Sequence, residues 1–161
     1  MYQRTTLDNG LRILTSFMPS TYSVSVALFV GAGSRYESDE VAGGTHFLEH
    51  LLFKGTRSWP TAKDISEAIE GVGGVMNAST DREMSVFWCK VAQQHFELGL
   101  SVLTDMIINP LLDPDEMEKE RQVILEELRM TDDYPDHRVD LLIDEMLWPD
   151  QPMGRDVGGS R

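Results

Sequence analysis

The sequence predicts an α+β fold, an antiparallel sheet with helices packed mainly on one face. Three observations predict it. Residues 2–30 carry strand patterning around a hairpin signal, and residues 93–147 carry helical patterning broken only at prolines. The chain has 161 residues, 41% hydrophobic and 25% charged, which suits one domain with a real core.

The elements follow in order. Tyr2–Leu7 and Leu11–Thr15 flank Asn9-Gly10, a dipeptide suited to a tight hairpin turn. In Ser23–Val30, Val24, Val26, Leu28 and Val30 share one face of a half-buried strand. Gly31-Ala32-Gly33-Ser34 ends it and lacks the Lys-Ser/Thr of a phosphate loop, so it reads as a turn. A helix is expected over Gly43–Lys54 with Gly55 as its C-terminal cap. A second is expected over Ala62–Gly71, capped by Thr61, with Ile65, Ala68, Ile69 and Val72 at helical spacing. After Gly73-Gly74, Val75–Thr80 and Met84–Val91 read as strands joined at Asp81-Arg82. A long helix spans Gln93–Ile108 and stops before Pro110. Asp113-Pro114-Asp115-Glu116 starts another, which runs to Met130. Pro135 breaks it, and a last apolar helix occupies His137–Leu147. From Trp148 the chain shows no period.

Charge narrows the function classes. Fourteen basic and 27 acidic residues give a net charge of −13. Such a surface repels nucleic-acid phosphates and anionic membranes, so neither is an expected partner. Cys89 is the only cysteine, which excludes an intrachain disulfide. No apolar run reaches the roughly eighteen residues of a membrane span. Met1-Tyr2-Gln3-Arg4 lacks the apolar core of a secretion signal, and the expected compartment is the cytoplasm.

The segment Thr45-His46-Phe47-Leu48-Glu49-His50-Leu51-Leu52 carries the chemistry. On a helix of about 100° per residue, His46 and His50 lie about 40° and one turn apart. Two imidazoles at that spacing can grip one metal ion. Glu49 shares their face and can reach a water there without being a ligand. A third ligand must come from elsewhere. Among Glu116, Glu118, Glu120, Glu126 and Glu127, the pair Glu120 and Glu127 has nearly the same helical angle, about 10 Å apart along the axis. Geometry leaves these two in competition, and a solvated acidic helix face is the plain alternative.

These residues resemble a known family. Gly44–Thr56, with its H-x-x-E-H order, is similar to the inverted zinc motif of the pitrilysin/insulysin-type (M16) metallopeptidases. Glu120–Leu128 resembles the family's second motif, and Thr6–Ile13 its opening hairpin. The resemblance implies the family's metallohydrolase fold and one Zn2+ per chain, held by His46, His50 and Glu127. It implies Glu49 as general base and Glu120 as a carboxylate of the catalytic set that orients the ligands. It further implies that Asn77-Ala78-Ser79-Thr80 lies on an edge strand beside the zinc, where a peptide substrate adds as another strand along Asn77, Ala78 and Ser79.

Members of that family pair the catalytic domain with a homologous zinc-free domain, and nothing like it is visible here. The whole chain, 1–161, is therefore expected to be a truncated N-terminal part of a catalytic domain, and its open sheet edge favours a homodimer. Two rivals remain: a non-catalytic peptide-binding or scaffold subunit of the same family, and a metalloenzyme like S-ribosylhomocysteine lyase with Cys89 as third ligand. His95 and His137 read as ordinary polar positions near helix starts, Cys89 otherwise as a small core residue, and the nine methionines as core filler. Trp59, Trp88 and Trp148 form no pattern.

Overall fold

The computed structural model describes residues 2–159; Met1, Ser160 and Arg161, the last two from the Gly-rich end, lie outside the described residues. β1 (Tyr2–Thr6) and β2 (Arg12–Ser16) form an antiparallel hairpin with Thr6 opposite Arg12. Its turn differs from the expected two-residue form. The Gly10 N–H donates to the Leu7 carbonyl at 2.9 Å, and Gly10 has φ 86°. A type I turn followed by a left-handed glycine adds one residue and frees Asn9 from positive φ.

β3 (Ser23–Val30), β4 (Val75–Thr80) and β5 (Ser85–Ala92) form an antiparallel sheet of order β3-β5-β4. The register sets Val26, Cys89 and Met76 in one row and Leu28, Phe87 and Ala78 in the next. Period-2 alternation turns these rows to one face. α1 (Gly44–Leu52), α2 (Ala62–Glu70) and α3 (Phe96–Ile108) pack on the sheet, and Leu52, Ile65, Ile69, Val102, Leu103 and Met106 close the core. Phe29, Val75 and Trp88 stay exposed on the opposite face. The α+β class and the one-sided covering are therefore as the pattern predicts. α4 (Pro114–Asp132) packs on α1, and α5 (Pro135–Leu147) packs on α4. Among the described residues, no helix is long and apolar enough to cross a membrane.

Several boundaries differ. Gly55 does not cap α1. The helix closes through Phe53 N–H to His50 O and Lys54 N–H to Leu51 O, and Gly55 enters a bridge in which Thr56 pairs with Pro110. Gln93–His95 is a 3-10 turn, so α3 begins at Phe96. α4 ends at Asp132, and Pro135 occupies the first turn of α5, where its missing N–H costs nothing. The turn at Gly31–Ser34 leads into short 3-10 turns at Ser34–Tyr36 and Asp39–Val41. Methionine is not uniformly core: Met106 is fully buried, whereas Met18, Met130 and Met146 are exposed. Cys89 is buried in the core as expected, and burial raises its thiol pKa.

One polar staple fixes the α1–α2 connection to α3. Asp105 accepts from the hydroxyl of the fully buried Thr56 at 2.6 Å, from Ser58 N–H at 3.0 Å and from Asn109 Nδ2 at 2.7 Å. The Thr56 hydroxyl hydrogen bond leads the interactions that hold the Asp105 carboxyl down to about 2, below its ordinary 3.8. A carboxylate stabilised in the folded state contributes above its unfolded pKa, and the contribution fades as pH falls through the folded one. Asp105→Ala strands a buried hydroxyl and is expected to cost about 1–3 kcal/mol at neutral pH. Urea melts of wild type and variant should differ at pH 7 and converge near pH 2.

Candidate metal centre

α1 carries His46, Glu49 and His50 on one face. Its start is held from outside, because Gly43 supplies no capping side chain. The Glu37 carboxylate accepts from Gly43 N–H at 2.8 Å and Thr45 N–H at 2.6 Å, completing donors a helix leaves open at its first turn. Burial works against the Glu37 charge, but the bonds from Thr45 and Gly43 and the nearby Arg155 outweigh it and lower its pKa. Arg155 donates to the Ser34 and Glu37 carbonyls and pairs with Asp39 at 2.5 Å. Gly43 has φ 88°, and a Cβ at Gly43 or at Gly159 would run into the other segment's backbone. The stretch after Trp148, without period in sequence, is thus a strap across the start of α1.

α4 supplies the acidic side. Glu120, Ile124 and Glu127 form one stripe, and Glu120 and Ile124 are buried. The His50 ring lies between the two glutamates. Its Nδ1–H donates to Glu120 Oε1 at 2.9 Å, and its Nε2 lies 3.6 Å from Glu127 Oε2. The two carboxylates that compete on helical angle alone are separated by which ring nitrogen they face. Glu120 also accepts from Lys54 Nζ at 2.5 Å. Burial opposes the Glu120 charge, yet the Lys54 and His50 bonds prevail and lower its pKa.

His46 Nε2 lies 3.2 Å from His50 Nε2, and one ligand atom from each of His46, His50 and Glu127 falls within 4.8 Å of the others. Two nitrogens bound at about 2.0–2.1 Å to a tetrahedral zinc lie about 3.3 Å apart, so the pair fits such an ion. His46 Nδ1 is buried without a hydrogen-bond partner. No hydrogen bond at that atom orients the ring, and its Nε2 faces the His50 ring.

Glu49 Oε2 accepts from the Thr80 hydroxyl at 2.5 Å, which ties α1 to β4. β4 is an edge strand of its sheet among the described residues, and Asn77, Ala78 and Ser79 lie on it. Asn77 Oδ1 accepts from Ala78 N–H at 2.9 Å. Cys89 packs in the core against Gly99 and does not belong to the ligand cluster, which leaves the Cys89-ligated alternative without support. His95 precedes α3; His137, in the first turn of α5, meets Asp156 at 3.2 Å.

Sequence reasoning missed Glu37, Lys54 and Arg155, and placed Thr80 on the edge strand without its bond to Glu49. Lys54 was within reach, standing one turn beyond His50 on the same helical face. The others depend on tertiary placement and leave no local pattern.

The family model described as Insulinase (Peptidase family M16) matches residues 12–161. An uncharacterized zinc protease of Mycobacterium leprae is 44% identical over 98% of this chain and 35% of its own length. An uncharacterized zinc protease of Bacillus subtilis is 37% identical over 99% of this chain and 39% of its own length. The chain thus spans 35% and 39% of these curated relatives. Among solved structures, a protease from Helicobacter pylori superposes with a TM-score of 0.93 at 26% identity, covering 99% of this chain and 39% of that one. Pitrilysin gives a TM-score of 0.86 at 32% identity, over 99% of this chain and 17% of that one.

Glu37→Gln removes the charged cap and is expected to cost about 1 kcal/mol. Amide exchange should quicken at Gly43 and Thr45 before the rest of α1. Because the folded Glu37 pKa is lowered, its contribution is present above the ordinary carboxylate range. Wild type and variant should converge as pH falls through the folded value.

Proposed function

The chain belongs to the insulinase-type M16 peptidase family, and from that premise we propose that it carries the zinc site of an endopeptidase acting on peptides or unfolded protein segments. One observation carries the reading. His46, His50 and Glu127 bring three ligand atoms within 4.8 Å, with Glu49 on the same helix face as the histidines.

His46 and His50 would hold zinc through their Nε2 atoms, and Glu127 through a carboxylate oxygen. Zinc, when bound, polarises the scissile carbonyl and makes a water molecule acidic enough to attack near neutral pH. Glu49 takes the proton of that water and returns one to the leaving amine. Its Oε2 is engaged by Thr80, which leaves Oε1 for the transfer. Glu120 keeps His50 in the tautomer with Nε2 unprotonated.

The substrate would add as a strand along β4, at Asn77, Ala78 and Ser79. Support comes from the open edge and from the Ala78 N–H, which now rests on its neighbour's side chain. An arriving peptide carbonyl replaces that contact with a strand-type bond. In the whole protein, residues 1–161 would be the N-terminal part of a catalytic domain, facing a homologous non-catalytic domain across the substrate.

Glu49→Gln is expected to lower peptide cleavage by about 10²–10⁴-fold while zinc content stays near one per chain. Glu127→Ala is expected to lose zinc. Elemental analysis with a quenched-peptide assay checks both. Equal cleavage by wild type and Glu49→Gln removes the mechanism, and full zinc in Glu127→Ala removes the ligand set.

A further inference from the structure

Lys54 stands just beyond the end of α1, one turn past His50. Its Nζ donates to Glu120 Oε2 at 2.5 Å, and the other oxygen of the same carboxylate accepts from His50 Nδ1 at 2.9 Å. Glu120 is only 5% exposed, so water cannot readily take the place of either partner. The three groups form a line from solvent to the centre. Lys54 is partly exposed, Glu120 is buried, and His50 turns Nε2 toward His46 at 3.2 Å.

We propose that Lys54 is a positioning residue of the metal centre, holding Glu120 so that Glu120 in turn fixes the His50 ring. This rests on the metallopeptidase reading of the site. With Lys54 present, both oxygens of Glu120 are engaged and the carboxylate cannot rotate about its last bond. Without it, one buried oxygen loses its partner. The carboxylate then turns or swings toward water, and the ring it holds loses its anchor. The effect reaches the metal only through Glu120. A lysine that merely ties α1 to α4 through the same carboxylate would lower folding stability but leave the zinc affinity of the folded chain and the His50 Nδ1–H signal unchanged.

The test is a double-mutant cycle on the affinity of the full chain for zinc alone, read by competition with a chromogenic chelator. Lys54→Met is expected to weaken zinc binding about 10-fold, within the range for partners of metal-bound histidines. Lys54→Arg should recover most of that loss, since it keeps the charged donor. Glu120→Gln should weaken binding by itself, and Lys54→Met added to it should cost nothing more. In the zinc-free protein, the His50 Nδ1–H signal seen by nitrogen-edited NMR should broaden in Lys54→Met and return in Lys54→Arg. If Lys54→Met unfolds, Lys54→Gln carries the same cycle. Equal losses with and without Glu120, or wild-type affinity in Lys54→Met, overturn the proposal. His50→Ala and Glu127→Ala separate the two levels. If they lose zinc while Lys54→Met keeps it, only the role of Lys54 fails. If they bind zinc as wild type does, the metal centre itself is misplaced.

Discussion

The ring of His50 joins α1 to α4 through its Nδ1–H, which donates to Glu120, and sets its Nε2 3.6 Å from Glu127 on the same helix. A rigid imidazole can span two glutamates seven residues apart only if the helices keep one distance and one rotation. Burial of Glu120 stiffens the arrangement, because a carboxylate taken out of water and then deprived of its partners costs several kcal/mol. The helices therefore cannot slide without stranding it. The same bond selects the tautomer. A proton held on Nδ1 leaves the Nε2 lone pair facing His46.

α1 spans only Gly44–Leu52. A helix that short is marginal in isolation, so its geometry must come from its surroundings. Glu37 and the strap through Arg155 and Gly159 hold its first turn. Lys54 reaches back to α4 just past its last turn. Leu51 and Leu52 bury its apolar face. The polar face is thus set from three directions while remaining partly open.

Local chemistry accounts for what the sequence made legible. Strand alternation at Val24–Val30, the Thr61 and Asp113 caps and the His46–His50 spacing each follow from residues a turn or two apart. The strands and helices met these expectations to within a few residues. The boundary differences have two causes. Gly10 and Pro135 take local roles for which another local form was equally compatible, in the turn from Leu7 and at the start of α5, whereas Gly55 depends on the distant Thr56–Pro110 bridge. The choice between Glu120 and Glu127 could not be made from helical angle, because it depends on which nitrogen of a ring on another helix each one meets. The strap was illegible for the same reason. Gly159 and Arg155 show no period because their partners, at Ala42–Gly43 and Glu37, lie more than a hundred residues away.

Thr80 adds a coupling that neither motif contains. Its hydroxyl bonds Glu49 and lies 3.3 Å from Ser85 Oγ, which in turn donates to the Ala32 carbonyl at 3.0 Å. The Thr80 hydroxyl thereby ties the proposed base to β4, and the neighbouring Ser85 hydroxyl ties β5 to the loop after β3. Thr80 sits on the same edge strand that would receive a substrate, two residues from Ala78. An extended segment paired along that edge and the carboxylate that would act on it are therefore referenced to one backbone. A shift of β4 relative to α1 would strain the Thr80–Glu49 bond that aligns the two. The distance that matters for proton transfer then depends less on where the peptide lies overall than on the register of one strand.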